Sequence, residues 1–443
     1  MLRFSFCPML ALLIAISGAP AFEVKARIKK VDREQGILVF AAGGQDRTAK
    51  VAPDAKFFDG DGKDLAGGLK SDRLQEGAEA VLTVERVEDK PAIKAIRIGN
   101  PMGKGASMPT STAAPLPPQD TSALKSLTDM GPNDEYHGAK GGLYPDASNE
   151  RPAVHTKAGL ELAKQIQPLD ADGKPSPEGK IVLLAIGFSN TVQAFGGLMQ
   201  AAEKDKDLNP RLALVNGAQG GRSAFMIKNP DDHSIGEEYW KTWVPDHLKS
   251  AGATAARVQA IWLKETDASL PPATQEALGV ENYVPPLKME FPKSAQTLES
   301  ELEMIVRAMP RFFPNLKLVY VSSRSYGGWA LREGNREPFS YETGFAVKWL
   351  IEKQIKGDPA LNYDAAKGKV EAPWLSWGPY LWANGDRPRK DAFSFTLEDY
   401  RENDRMHYSP QGQIKIGNLM LRFFKTDATS KSWFLGKSAK EGE

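Results

Sequence analysis

Residues 181–191 read IVLLAIGFSNT. From Ile181 to Gly187 no polar residue interrupts the run, so it lacks the apolar–polar alternation of a strand with one wet face. A short run apolar on both faces suits a strand covered on both sides, the condition of a parallel sheet between helices. The pattern then changes to a helical period in TVQAFGGLMQAAEK, 191–204. Ser189 therefore stands where a strand ends and a helix begins. A serine there is either an N-cap or a hydroxyl aimed beyond the sheet edge, where the helix dipole favours developing negative charge.

The same grammar continues to the C-terminus. RLALVNGA (211–218), VQAIWL (258–263) and LKLVYVSS (316–323) predict strands. Helices are predicted over 152–166, 237–252, 297–313, 341–355 and 410–424. Strands alternating with helices predict an α/β domain over 141–428, built on a doubly wound parallel sheet of flavodoxin-like type. In such sheets ligands bind beyond the carboxyl ends of the strands. Residues 429–443 read as a tail.

Upstream the period is two. VKARIKKV (24–31), GILVFAA (36–42), AEAVLTVERV (78–87) and AIKAIRI (92–98) alternate between turn residues. They predict a small all-β domain over 22–100, a barrel or meander of OB-like size. FFDGDGKDL (57–65) looks like a calcium loop, but counted from Asp59 the sixth position is Asp64 and the twelfth Lys70, which leaves a hairpin turn. The run LDADGKP around Asp170 fails the same count. Residues 101–140 contain GKGASMPTSTAAPLPPQDTSA (103–123), too poor in large apolar residues to order itself, and read as a flexible linker.

Residues 1–21 have the form of an export signal: Arg3, an apolar stretch from Met9 to Ile16, and Ala19-Pro20-Ala21 as a cleavage site near Ala21. This predicts a secreted or periplasmic protein with no integral membrane segment once the signal is removed. The only cysteine, Cys7, lies in that segment, so the mature chain has neither disulfide nor thiolate nucleophile. Lys plus Arg number 57 against 56 Asp plus Glu, a balance that offers no global field for nucleic acid.

Two further segments fall at predicted strand ends. VNGAQGGRSA (215–224) places Gly220 and Gly221 where backbone N–H groups lie open to a ligand. ENDRMHYSPQGQ (402–413) sets Asp404 three residues before His407, ahead of a helix opened by Ser409-Pro410. That spacing allows the carboxylate to hold one imidazole nitrogen while the other faces outward as a base. Of the five histidines, His137, His155, His233 and His247 have no acid so placed on a loop at this edge.

Taken together, Ser189, the glycines and Asp404-x-x-His407 resemble the SGNH (GDSL-like) hydrolase superfamily, over about 141–425. The nearest likeness is to the sialate O-acetylesterase and acetyl-xylan esterase branch, whose Gly-Gln-Ser-Asn motif corresponds to Gly187-Phe188-Ser189-Asn190. The resemblance implies a serine esterase acting on small esters of carbohydrate, without metal or cofactor. Its partners would be a small-molecule or polysaccharide ester. It implies Ser189 as nucleophile, His407 as base and acid, and Asp404 as orienting group. The N–H groups of Ser189 and Gly221 would form the oxyanion hole, with Gly220 as the alternative. In IWLKETD (261–267), Lys264 occupies the position of the branch's glutamine, where it either becomes the third oxyanion donor or pairs with Glu265 or Asp267 and turns away. Asn190, Gly220, Arg324 and Tyr326 are expected at the substrate, whereas Tyr144 and Asn149, on the polar loop GGLYPDASNERP (141–152), belong to a structured surface loop sooner than to the site lining. Trp374, Trp377 and Trp382 belong either to a sugar platform or to the core. The rival reading is an inactive carbohydrate-binding protein on the same fold, favoured by Lys264.

Overall fold

A computed structural model describes residues 22–42, 45–59, 63–87, 90–98, 117–232, 235–268, 275, 280 and 283–436. The expected export signal, residues 101–116 and His233 lie outside the described residues. The chain forms two compact units, Met1–Ala113 and Ala114–Glu443.

In the first unit, β1 (Phe22–Asp32), β2 (Ile37–Ala42), β3 (Gln45–Phe58), β4 (Glu79–Val87) and β5 (Lys90–Ile98) close into a barrel in the order β1-β2-β3-β5-β4. β3 and β5 run parallel, while β1 and β4 close the ring antiparallel. The period-two pattern is what fills it. Ile28, Leu38, Phe40, Leu82, Val84, Ile96 and Ile98 turn inward and are buried. At the calcium-like stretch, Asp59 Oδ1 accepts from Lys63 N at 3.0 Å, the bond of a tight turn.

The second unit opens with a two-residue hairpin, β6 (Glu135–Tyr136) and β7 (Ala139–Lys140). Its sheet comprises β8 (Ile181–Gly187), β9 (Leu212–Asn216), β10 (Val258–Lys264), β11 (Leu318–Val321) and β12 (Trp374–Trp377), in the order β12-β11-β10-β8-β9. Every pairing is parallel. Counted from β8 the order is 2-1-3-4-5, that of flavodoxin-like doubly wound sheets, with the switch point between β8 and β10. All seven residues of β8 and of β10 are buried. The helices used below are α1 (Ala153–Ala163), α2 (Ser189–Ala202), α3 (Val244–Ser250), α4 (Lys293–Phe312), α5 (Phe339–Ile355) and α6 (Pro410–Thr426). α2 packs on α6, and α4 on α5.

Four expectations need correction. The linker does not extend to residue 140. Leu127 and Met130 are buried, and Thr121 Oγ1 donates to Asn384 Oδ1 at 2.7 Å, so residues 117–140 belong to the second unit. Nor are residues 429–436 a loose tail. Trp433 and Phe434 are core residues, and Asn209 N donates to Phe434 O at 2.9 Å. A fifth strand, β12, was not legible in PWLSWGPYLW because its two indoles stand three apart, off the strand period. Trp374, Trp377 and Trp382 are all buried, which makes them core rather than platform. The 237–252 helix is broken by a π turn, Tyr239–Trp243, leading into α3.

Candidate active site

The site begins with the turn between β8 and α2. Gly187 has φ 149, and a Cβ there would stand 2.1 Å from Lys264 O on the neighbouring strand. Only glycine lets the chain leave the sheet this tightly. Tyr239, exposed by nothing and buried in the π turn, accepts from Gly187 N at 3.3 Å and donates to Gly217 O at 3.1 Å, tying the turn to the end of β9. Phe188 is the N-cap residue of α2 and makes no side-chain cap. Ser189 is the first helical residue, so the N-cap alternative does not hold and its hydroxyl is left for another partner.

That partner is His407. Its Nε2 lies 2.8 Å from Ser189 Oγ, and its Nδ1 lies 2.7 Å from Asp404 Oδ2. Asp404 Oδ1 also accepts from the backbone N–H groups of Met406 and His407, both at 2.9 Å. With a carboxylate on Nδ1, that nitrogen carries the proton and Nε2 accepts from the serine hydroxyl. Burial pushes the Asp404 carboxyl up, but its hydrogen bonds from the His407 ring and from the two backbone N–H groups outweigh this and hold it below the usual carboxylate range. The side chains of His407 and Asp404 are 23% and 20% exposed, enough for a substrate to reach the ring.

The loop carrying the pair is shaped locally. Arg405 takes φ 49, and Arg401 N donates to His407 O at 2.8 Å. Ser409 Oγ accepts from Gly412 N at 3.1 Å and Pro410 occupies the first turn, starting α6 directly after the histidine.

Of the two glycines, Gly220 is the one whose Cβ position faces Ser189. A Cβ on it would stand 3.8 Å from Ser189 Cβ, whereas a Cβ on Gly221, at φ 80, would meet nothing within 4 Å. Both are exposed, and Gln219 N donates to Gly187 O at 2.9 Å, laying the loop along the serine turn.

Lys264 ends β10 beside Gly187 and is 1% exposed. Its Nζ stands 4.9 Å from the centroid of the Phe188 ring and has no hydrogen-bond partner among the described residues. It pairs with neither Glu265 nor Asp267. Burial, with the Arg324 guanidinium adding to it, brings its pKa down to about 7, against a smaller upward pull from Glu265. Glu265, itself wholly buried, is pushed well above its ordinary value by burial. Beyond the ends of β9 and β10, Ser223 Oγ and Thr266 Oγ1 are also buried and have no hydrogen-bond partner among the described residues. Such a concentration of unmatched polar atoms marks this edge as the polar end of the sheet.

The expected substrate contacts fare differently. Tyr326 is 5% exposed and spends its hydroxyl on Thr121 Oγ1 at 3.0 Å, so it belongs to the packing. Arg324 is 4% exposed, with Nη2 on Asn335 Oδ1 at 3.4 Å. Asn190 is buried and donates to Met406 O at 3.0 Å. Tyr144 and Asn149 line a groove of about 490 Å³ with Arg151, Trp377, Arg389 and Phe423, and no member of the relay lines it. Sequence reasoning passed over Gln193, Thr191 and Asn216. Thr191 Oγ1 donates to Lys264 O, and Asn216 Nδ2 donates to Val192 O at 2.9 Å. For Thr191, a polar residue on the sheet-facing side of α2 was the available signal.

Among the described residues, no group of three or more His, Cys, Asp and Glu is placed to hold a metal ion, and no helix is long and apolar enough to cross a membrane. No protein-family model and no curated protein matches the chain. Among solved structures, a lipase from a goat rumen metagenome is similar at 14% identity, over 54% of this chain and 95% of that one, with a TM-score of 0.31. A carbohydrate esterase, described as having an active site with divergent catalytic and non-catalytic binding functions, is similar at 11% identity over 57% and 70%, with a TM-score of 0.29. Apo-CusF from Escherichia coli is similar at 11% identity over 20% of this chain and 99% of that one, with a TM-score of 0.14. At these scores the architecture rests on the chain's own strand order and the site on its own distances.

Proposed function

We propose that the chain is an exported serine ester hydrolase of SGNH type, acting on small esters, in particular acetyl groups on carbohydrate. The observation that carries this reading is the Ser189–His407–Asp404 relay, with contacts of 2.8 and 2.7 Å at the carboxyl edge of the sheet. Ser189 Oγ attacks the ester carbonyl as its proton passes to His407 Nε2, and Asp404 stabilises the imidazolium that forms. The tetrahedral oxyanion is met by the N–H of Ser189, at the positive end of α2, and by that of Gly220 or Gly221. Lys264, beneath the same turn, is the third donor. Collapse expels the alcohol, which takes the proton from His407, and leaves an acyl-serine. Water activated by His407 then releases the acid.

The acetyl and carbohydrate assignments derive from the sequence resemblance, and the export assignment from residues 1–21. The test compares the full chain with Ser189→Ala on a chromogenic acetate ester and then on acetylated oligosaccharides. Turnover is expected to fall by on the order of 10⁴-fold or more in the variant. Equal hydrolysis by both proteins would remove the case for an enzyme and leave the binding-protein reading.

A further inference from the structure

Both peptide units flanking His407 are held by side chains of the helix that begins with Ser189. Asn190 Nδ2 donates to Met406 O at 3.0 Å, on the peptide entering His407. Gln193 Oε1 accepts from Tyr408 N at 2.9 Å, on the peptide leaving it. Asn190 and Gln193 are 3% and 9% exposed, so water hardly competes for either bond. The same stretch is fastened to the sheet by Thr191 Oγ1 on Lys264 O and by Asn216 Nδ2 on Val192 O.

Bonds internal to the histidine loop, from His407 N to Asp404 Oδ1 and from Arg401 N to His407 O, fix its shape but not its place relative to Ser189. The His407 ring is partly exposed, and Arg405 holds a left-handed conformation uncommon outside glycine, asparagine and aspartate. Packing therefore does not by itself set the position of the imidazole, and the backbone on either side must be held. A serine and a base that must meet at hydrogen-bond distance gain most from being tied to one rigid element.

We propose that Asn190 and Gln193 are positioning residues: a two-point clamp by which the first turn of α2 sets the His407 Nε2–Ser189 Oγ distance. This rests on the esterase reading for its kinetic meaning, and replaces the substrate-contact role expected of Asn190. The clamp demands opposite chemistry at its two points. Position 190 must donate to a carbonyl, and position 193 must accept from an N–H. Gln193→Glu keeps the acceptor, Gln193→Leu removes it at similar size, and Asn190→Asp replaces the donor with an acceptor.

The experiment measures kcat, KM, melting temperature and the downfield imidazole N–H proton resonance of His407 in the full chain and these three variants. Gln193→Leu and Asn190→Asp are expected to lower kcat roughly ten- to a hundredfold with KM within about twofold, as befits misplaced groups rather than lost binding. Gln193→Glu is expected to keep wild-type kcat and the His407 resonance, while Gln193→Leu broadens or loses it. Wild-type kcat in Gln193→Leu and Asn190→Asp would overturn the clamp, and so would a loss in Gln193→Glu equal to that in Gln193→Leu. If the wild-type chain shows no Ser189-dependent turnover, the esterase reading fails separately. The clamp is then decided by the resonance, and an unchanged signal in Gln193→Leu overturns it.

Discussion

Lys264 joins a cost in stability to a proposed gain in catalysis. A buried ammonium with no hydrogen-bond partner among the described residues is expensive, and its pKa is lowered from 10.5 to about 7. Between those values the unfolded chain holds a proton that the folded chain has released, so stability rises with pH across that window and is at its lowest below it. Lys264→Met is therefore expected to stabilise the fold by about 1–4 kcal/mol at pH 7, a gain that shrinks toward pH 10.5. If Lys264 donates to the oxyanion, the same variant loses about a hundred- to a thousandfold in kcat. Melting curves at several pH values and acetate-ester kinetics check both halves. A gain in melting temperature with unchanged kcat would strike Lys264 from the oxyanion hole. At this scale Ser189, Asp404 and His407 were legible in the sequence because each sits at a punctuation point between elements. Asn190 and Gln193 were not, because an amide on a helix carries no mark of whether it meets substrate or a backbone two hundred residues away.

The close packing of α2 on α6 brings the segments carrying serine and histidine together. α2 starts at Ser189, α6 starts just after His407, and the two cross at glycine. A Cβ on Gly197 would stand 2.0 Å from Gln413 O, and one on Gly417 2.2 Å from the Gly197 carbonyl carbon. Gly196, one residue earlier, has nothing within 4 Å of its own would-be Cβ. Adjacent substitutions should thus have opposite signs. Gly196→Ala is expected to stabilise by up to about 1 kcal/mol through helix propensity. Gly197→Ala is expected to destabilise by about 1–3 kcal/mol and to lower turnover by pushing the helices apart. Thermal melts and kinetics on the pair test this, and like effects from both would refute it. The sequence shows GG in a helical run but not which glycine faces a partner, since that depends on a contact with residue 413.

For the whole molecule, the consequence lies in where the chain can be cut. A fragment from residue 114 keeps every residue of the relay and its supports, and is expected to retain Ser189-dependent turnover and to melt as its own transition. A fragment from residue 141 loses Leu127 and Met130, both buried in the α/β core. It is expected to lose on the order of 2–5 kcal/mol for each such side chain removed. Equal melting temperatures for the two fragments would mean that residues 117–140 do behave as linker.

Local periodicity was enough to read a period-two domain ahead of an α/β domain, to find four of the five strands of the parallel sheet, and to place the serine, the glycines and the Asp-x-x-His pair at their ends. Those properties depend on neighbours a few residues apart, where the pattern of burial is written directly into the chain. The indole-rich edge strand, the packing of residues 117–140 and 429–436, the facing of Gly220 toward Ser189, and the bonds of Asn190 and Gln193 to the peptides around His407 were settled only by folding. Each depends on which distant segment covers a given side chain, and the free energy of that contact belongs to the pair, so neither stretch of sequence expresses it alone.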